Sequence, residues 1–460
     1  MNKINYWKLK WVTRWIVLWA LCSGCATTQT VRLDEGLVPE KLQTLEQEVL
    51  EDTRKFGTFL ENSGAFYEDP QLEAYLQEIV QPLVPELPTS IPYRFRFKIV
   101  RDPTLNAYTL GDGAIYFHTG LIARLTSAQQ MAFIAGHEIA HVMNRDLVYF
   151  TDSLHRKTIT AKVTDLVLTP ALAVVGLGGV GEAGVGLAYR ASITGYGRQR
   201  EAQADEASLK TLQHLGYNGR AALGVFETLL AEDKRYQKGI EISFLSSHPA
   251  NEERMKAVKT FLGIKGEDIE PSENKDTLDG SGPSVSQHDG YAIDAAFLDA
   301  THRLRIDNAA MDIQLQRYDH AIQQLRAILE RRPQEALTHH YLAEAYRLIG
   351  DNPHALRKEL NYSTWEESRR EEESLKQPAY WRQRAREAYQ EAMRWDATLA
   401  DPYRGLGLLV QAEGRDVEAL ESFQRYLELS PSAKDRRFVL SWIDRLKANT
   451  LKANTSTSAR

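Results

Sequence analysis

The segment Gly136-His-Glu-Ile-Ala-His-Val142 has the residue types and spacing best suited to chemistry. On a helix, His137 and His141 fall one turn apart on the same face, where two neutral imidazoles can share one zinc ion. Glu138 lies beside His137, placed to take a proton from a water on the metal and pass it to a leaving amine. Zinc lowers the pKa of such a water to roughly 7, so peptide hydrolysis at physiological pH would need no strong base. The competing reading is a satisfied structural helix with no metal.

A catalytic zinc needs a third protein ligand and an open fourth position. His141 leads into VMNRDLVYF, which has no histidine at the short metzincin spacing, so a carboxylate is sought further on. Glu201-Ala-Gln-Ala-Asp205 lies in a predicted helix, and its two acids at i and i+4 share a face. Glu201 could then bind zinc while Asp205 receives the free ring N–H of a ligand histidine. Taken alone, the pair could equally be a solvated helix face.

These residues need elements to hold them. Ser127 with Gln130 reads as a capping box that starts the histidine helix. Upstream, Pro39 to Leu60 and Pro70 to Leu83 have the period of amphipathic helices. Tyr93 to Val100 alternates as a half-buried strand, and Gly113 to His118 reads as another after the turn Gly111-Asp112-Gly113. From Lys265 to Gly290 turn formers replace apolar residues, as in a linker.

Beyond the linker the sequence repeats with a period of 34: Ala385, Tyr389, Ala392 and Ala397 map onto Ala419, Phe423, Tyr426 and Pro431, and Ala321 maps onto Ala355. This is the tetratricopeptide period, and Tyr403, Leu406 and Gly407 fit the first helix of such a repeat. Spacing breaks between Ala355 and Ala385, where the charged run Glu366 to Glu373 intervenes. Stacked helix pairs would offer a concave surface to a partner and do no chemistry. An irregular helical bundle is the alternative.

The amino terminus reads as an address. Lys3, Lys8, Lys10 and Arg14 precede the apolar core Trp15 to Leu21, too short to span a bilayer but suited to an export signal. The only two cysteines, Cys22 and Cys25, lie at its end. They exclude a disulfide framework and any cysteine-ligated metal in the body of the chain. Cys22-Ser-Gly-Cys25 resembles a lipoprotein cleavage box with Cys25 as the lipidated residue, although Leu21 stands one place further out than usual. By the same resemblance, Ala26 after it implies the outer membrane of a two-membrane cell. A plain cleaved signal is the alternative. The chain carries a net charge of −6, and loss of residues 1–24 would remove four basic and no acidic side chains. Such an acidic protein is a poor candidate for nucleic acid. An apolar share of 43% and a mean hydropathy of −0.41 exclude a bundle of membrane spans.

GHEIAHV followed some 60 residues later by EAQAD, and preceded by DPTLNAYTLGDGAIYFHTGLI, resembles the gluzincin metallopeptidases of the HtpX and CAAX prenyl endoprotease type. With the export signal and the repeats, the chain is most similar to the BepA group of periplasmic proteases. The resemblance implies an α+β fold class: a mainly helical zincin-type domain with a small sheet, then an all-α tetratricopeptide-repeat solenoid. The domains would be a signal at 1–24, a peptidase at 25–264, a linker at 265–290, repeats at 291–446 and a disordered tail at 447–460. It also implies one zinc per chain on His137, His141 and Glu201, Glu138 as catalytic acid/base, and Asp205 orienting a ligand. Asn106, Ala114, Ile115 and Tyr116 would belong to a strand beside the cleft that holds an extended polypeptide by backbone pairing. His248 in SSHPANEER would steady the oxyanion or fill the fourth zinc position, unless it is a surface histidine at a turn.

The implied function is a lipid-anchored periplasmic zinc endopeptidase acting on misfolded or misassembled envelope proteins, its repeats docking substrate or an outer-membrane assembly machine. The alternative is an assembly chaperone with a latent metal site. Gly176-Leu-Gly-Gly-Val-Gly181 fits a dinucleotide pattern but lacks the strand that must precede it; a small-residue hairpin near the cleft suits it better.

Overall fold

The computed structural model describes residues 30–87, 91–158, 196–235, 248, 252–264, 293–352 and 378–457. The segments expected as an export signal with Cys25 and as a linker at 265–290, the glycine-rich stretch at 176–181, and Ala355 with the charged run after it lie outside those residues.

Helix α1 (Glu40–Ser63) stops at Gly64, whose φ of 71° is left-handed. Helix α2 (Pro70–Val80) starts on Asp69, which accepts the Leu72 N–H at 3.0 Å, and Pro70 takes the first position, where no N–H is needed. Three strands follow: β1 (Arg96–Val100), β2 (Ala107–Thr109) and β3 (Ala114–His118). Their spatial order is β1-β3-β2, with β3 parallel to β1 and antiparallel to β2. The β2–β3 turn requires glycine, since Gly113 has φ 95° and a Cβ there would lie 2.5 Å from the Arg94 carbonyl oxygen.

After the short α3 (Thr119–Ile122) come α4 (Ala128–Met143), α5 (Asp146–Thr158), α6 (Arg198–His214), α7 (Ala221–Arg235) and α8 (Glu252–Phe261). The histidine helix α4 is buried along nearly its whole length, so it forms the centre of the domain. Ile115 and Phe117 of the sheet, Met131 and Ile134 of α4 and Phe226 of α7 share its core. Ser127 caps α4 by accepting the Gln130 N–H, but the Gln130 side chain reaches back to Thr126, one residue beyond the capping-box position.

The remaining helices are α9 (Ala295–Ala300), α10 (His302–Gln314), α11 (Tyr318–Arg331), α12 (Ala336–Asp351), α13 (Pro378–Trp395), α14 (Asp401–Ala412), α15 (Asp416–Leu429) and α16 (Arg436–Thr457). From α10 to α16 each packs on the next. Ala385, Tyr389 and Ala392 on α13 are buried, and so are Ala419, Phe423 and Tyr426, 34 residues later on α15. Helix α14 fits between them only because it is small there: a Cβ on Gly405 would lie 2.4 Å from the Tyr389 ring, and one on Gly407 2.6 Å from Phe423.

Two features depart from the expected boundaries. Phe297 and Leu304 are wholly buried in the core built around α4, so α9 and the start of α10 belong to that body as much as to the helices that follow. Arg305 donates to the carbonyls of Ala123 and Leu125, and Arg317 donates to Pro103 O at 2.6 Å. The second is a correction. Residues 447–457, expected within a disordered tail at 447–460, continue α16, which buried Ile443 and Leu446 anchor.

Candidate metal centre

His137 and His141 project from α4 with ring centroids 4.7 Å apart and Nε2 atoms 3.1 Å apart. Glu201 comes from the first turn of α6, and the closeness of α6 to α4 depends on Gly136. A Cβ at that position would lie 2.5 Å from Ser208 Oγ, which instead donates to Phe133 O at 2.6 Å. The approach sets Glu201 Oε2 3.3 Å from His137 Nε2 and Oε1 3.5 Å from His141 Nε2. His248 completes the group, its Nδ1 2.9 Å from Glu201 Oε2 and 3.2 Å from His137 Nε2. The donor atoms of His137, His141, Glu201 and His248 all lie within 4.8 Å of one another.

A second layer fixes the rings. Asp205 Oδ1 lies 3.0 Å from His137 Nδ1, and Asp146 Oδ2 lies 2.8 Å from His141 Nδ1. Each acid therefore takes the Nδ1 hydrogen and leaves the Nε2 lone pair facing the cluster. Asp146 opens α5, held there by Arg145 at φ 54°, whose guanidinium donates to Glu46, Val31 O and Gly36 O. Arg200 also donates to Asp146. Asp205 receives two parallel bonds of 2.7 Å from Arg254 on α8, and the same guanidinium donates to His248 O at 3.0 Å.

The electrostatics follow from this packing. Burial opposes charge on His137, but the Asp205 and Glu201 carboxylates outweigh it and raise its pKa to about 9. Burial likewise opposes charge on Glu201, yet the imidazoles of His248 and His141 hold it well below the usual carboxylate range. A bound metal would replace the protons that otherwise balance these acids.

The residues fit zinc on two counts. Three imidazoles and a carboxylate are the nitrogen and oxygen set that zinc prefers. In addition, neither oxygen of Glu138 and not Oε1 of Glu201 has a hydrogen-bond partner among the described residues, although all are buried. Burying a carboxylate oxygen without a hydrogen-bond partner is costly, and a cation at the centre of the group would offset that cost. Glu138 Oε1 lies 3.5 Å from His248 Nε2, so the acid faces the cluster and not the solvent.

The structure brings His137, Glu138, His141, Glu201, Asp205 and His248 together. His248 is 1% exposed and is therefore no surface histidine. The strand residues need correction. Ala114, Ile115 and Tyr116 lie in β3, the central strand, whose two edges are taken by β1 and β2. A third partner cannot pair with it. The edge strand nearest α4 is β2, and Asn106 precedes it, buried, its carbonyl accepting the His118 N–H at 2.9 Å. Because Asn106 and Tyr108 pair inward, Ala107 and Thr109 have their backbone groups on the outer edge.

Three further residues escaped the sequence reading: Asp146, Arg254 and Tyr196, whose ring centroid is 4.5 Å from that of His141. Asp146 had a signal, an acid five residues after the second histidine, and Arg254 stood within the SSHPANEER segment. His339 and His340 lie in the helical array, away from this group, with His340 buried there. Among the described residues no helix is long and apolar enough to cross a membrane.

Residues 70–262 match Peptidase family M48. The chain is 29% identical over 228 residues to a putative beta-barrel assembly-enhancing protease of Vibrio cholerae, covering 48% of this chain and 45% of that one. It is 25% identical over 199 residues to the beta-barrel assembly-enhancing protease of Escherichia coli, covering 43% and 40%. It is also 24% identical over 169 residues to the mitochondrial metalloendopeptidase OMA1 of Schizosaccharomyces pombe, covering 37% and 47%. The chain thus spans less than half the length of these curated relatives.

Proposed function

We propose that the M48 peptidase domain carried by residues 70–262 is a zinc-dependent endopeptidase that cleaves misfolded or misassembled proteins of the cell envelope. The observation that carries this reading is Glu138, a buried carboxylate with no hydrogen-bond partner among the described residues, set against a complete group of metal donors. His137, His141 and Glu201 would hold the metal, which supplies a Lewis acid for the scissile carbonyl. Glu138 accepts the proton of the attacking water and returns it to the leaving amine. Asp205 and Asp146 keep the two histidines in the ligating tautomer, and Arg254 keeps Asp205 in place. His248 occupies a resting ligand position, which its 2.9 Å contact with Glu201 supports, and leaves it for substrate.

The same reading takes the chain as exported through residues 1–24 and held at the outer membrane by lipidated Cys25. Helices α10 to α16 act as tetratricopeptide-type repeats that dock substrate or the assembly machine, supported by the buried 34-residue correspondence. That two relatives are named for beta-barrel assembly supports the choice of substrate class.

A second reading has one observation in its favour. His137, Glu138, His141, Glu201 and His248 are each at most 1% exposed, a closed site that suits an assembly factor with a latent metal centre. Complementation of cells lacking the protein separates the two. The protease reading requires Glu138→Gln to abolish function; the latent-site reading requires it to be retained.

A further inference from the structure

Tyr196 lies two residues before α6, next to its N-cap Gly197, and it is 8% exposed. Its ring packs 4.5 Å from the His141 ring and edge-on to Phe150 at 6.1 Å, among Val49, Leu147 and Val148. These apolar neighbours account for the ring. They do not account for the hydroxyl, which is buried and has no hydrogen-bond partner among the described residues. Burying a hydroxyl without a partner costs about 1–3 kcal/mol, and phenylalanine would fill the same space without that cost.

A phenol carries its proton at neutral pH, so the Tyr196 hydroxyl is a buried donor on a ring that packs against His141. A donor there, with no acceptor among the described residues, is suited to one that arrives with substrate. In a peptidase that acceptor is the carbonyl oxygen, which gains negative charge as water adds to the carbonyl carbon.

We propose that Tyr196 is a catalytic residue that donates a hydrogen bond to the oxyanion of the tetrahedral intermediate. The step needs no further reactant. The water oxygen bonds to the carbonyl carbon, its proton goes to Glu138, the C–N bond then breaks, and the amine leaves with that proton; Tyr196 never gives up its own. The inference rests on the endopeptidase reading and adds a residue that reading does not use.

The test compares wild type with Tyr196→Phe in three measurements. The kcat should fall roughly 100-fold with KM within about twofold, the loss expected for one oxyanion donor. Affinity for a phosphinic pseudopeptide, whose tetrahedral phosphorus bears the anionic oxygen, should fall by a similar factor while zinc affinity stays the same. The metal-free variant should melt no lower than wild type, since an unsatisfied hydroxyl has been removed. Unchanged kcat and unchanged phosphinate affinity would overturn the proposal. So would a parallel loss of zinc affinity, which would make Tyr196 a support for His141. If the variant melts lower, 3-fluorotyrosine at position 196 keeps the ring and strengthens the donor; it should tighten the phosphinate, and no change would count against the proposal. Should zinc-loaded wild type cleave nothing, the endopeptidase reading fails, while the phosphinate ratio still reports on Tyr196.

Discussion

Arg254 grips Asp205 with two parallel hydrogen bonds of 2.7 Å, and both partners are buried. Through that pair the first turn of α8 is tied to His137, because Asp205 also orients the His137 ring, and through the bond from Arg254 to His248 O it is tied to the fourth donor. One guanidinium therefore sets the positions of two candidate ligands that stand 111 residues apart in the chain.

Breaking that pair should weaken the metal site without touching a ligand. Asp205→Asn is expected to lower zinc affinity about 10- to 100-fold in a chelator competition. Arg254→Lys should do much the same, since an ammonium cannot reproduce the paired geometry. Affinity within twofold of wild type in both variants would remove Asp205 and Arg254 from the account.

Gly136 tests the approach of α4 and α6. Gly136→Ala forces a Cβ against Ser208 Oγ and should cost about 1–3 kcal/mol of stability. Glu201 would be carried away from the histidines, so zinc affinity should fall together with the melting temperature. Adding Ser208→Ala, which removes the clashing oxygen, should recover part of both. A melting temperature equal to wild type for Gly136→Ala alone would show that the helices have slack there.

Phe297 tests the joint between the helical array and the body built around α4. It is wholly buried in that core although it lies beyond the segment expected as a linker. Phe297→Ala should destabilise by about 3–5 kcal/mol. It should lower the melting of that body itself, read by hydrogen exchange in α4. Loss of protection confined to α13–α16 would mean the array folds as a separate unit.

Much of the centre was legible because it is local. His137, Glu138 and His141 sit on one helix turn, and Glu201 with Asp205 on another, so helical spacing alone put them on shared faces. What escaped depends on contacts between distant segments. Arg254 reaches Asp205 across 49 residues, and no periodicity records that. Tyr196 sits just outside a helix, where an aromatic residue has no pattern to belong to. Strand β2 has three residues, too few for alternation to show, and without it β3 looked like an edge when it is the centre of the sheet. The end of α16 was missed because polar termini read as disorder unless an anchor such as Leu446 is known to be buried.

The central claim is that Glu138 and a metal on the histidine–glutamate cluster cleave peptide bonds together. The most direct measurement follows an unfolded protein incubated with the zinc-loaded wild type, with the same protein after chelation, and with zinc-loaded Glu138→Gln. The account predicts cleavage by the wild type, loss on chelation and recovery with added zinc. It further predicts that Glu138→Gln binds zinc equally well but cleaves about 100- to 10,000-fold more slowly. Equal, chelator-insensitive cleavage by both proteins, or none from a wild type shown to hold zinc, would contradict it.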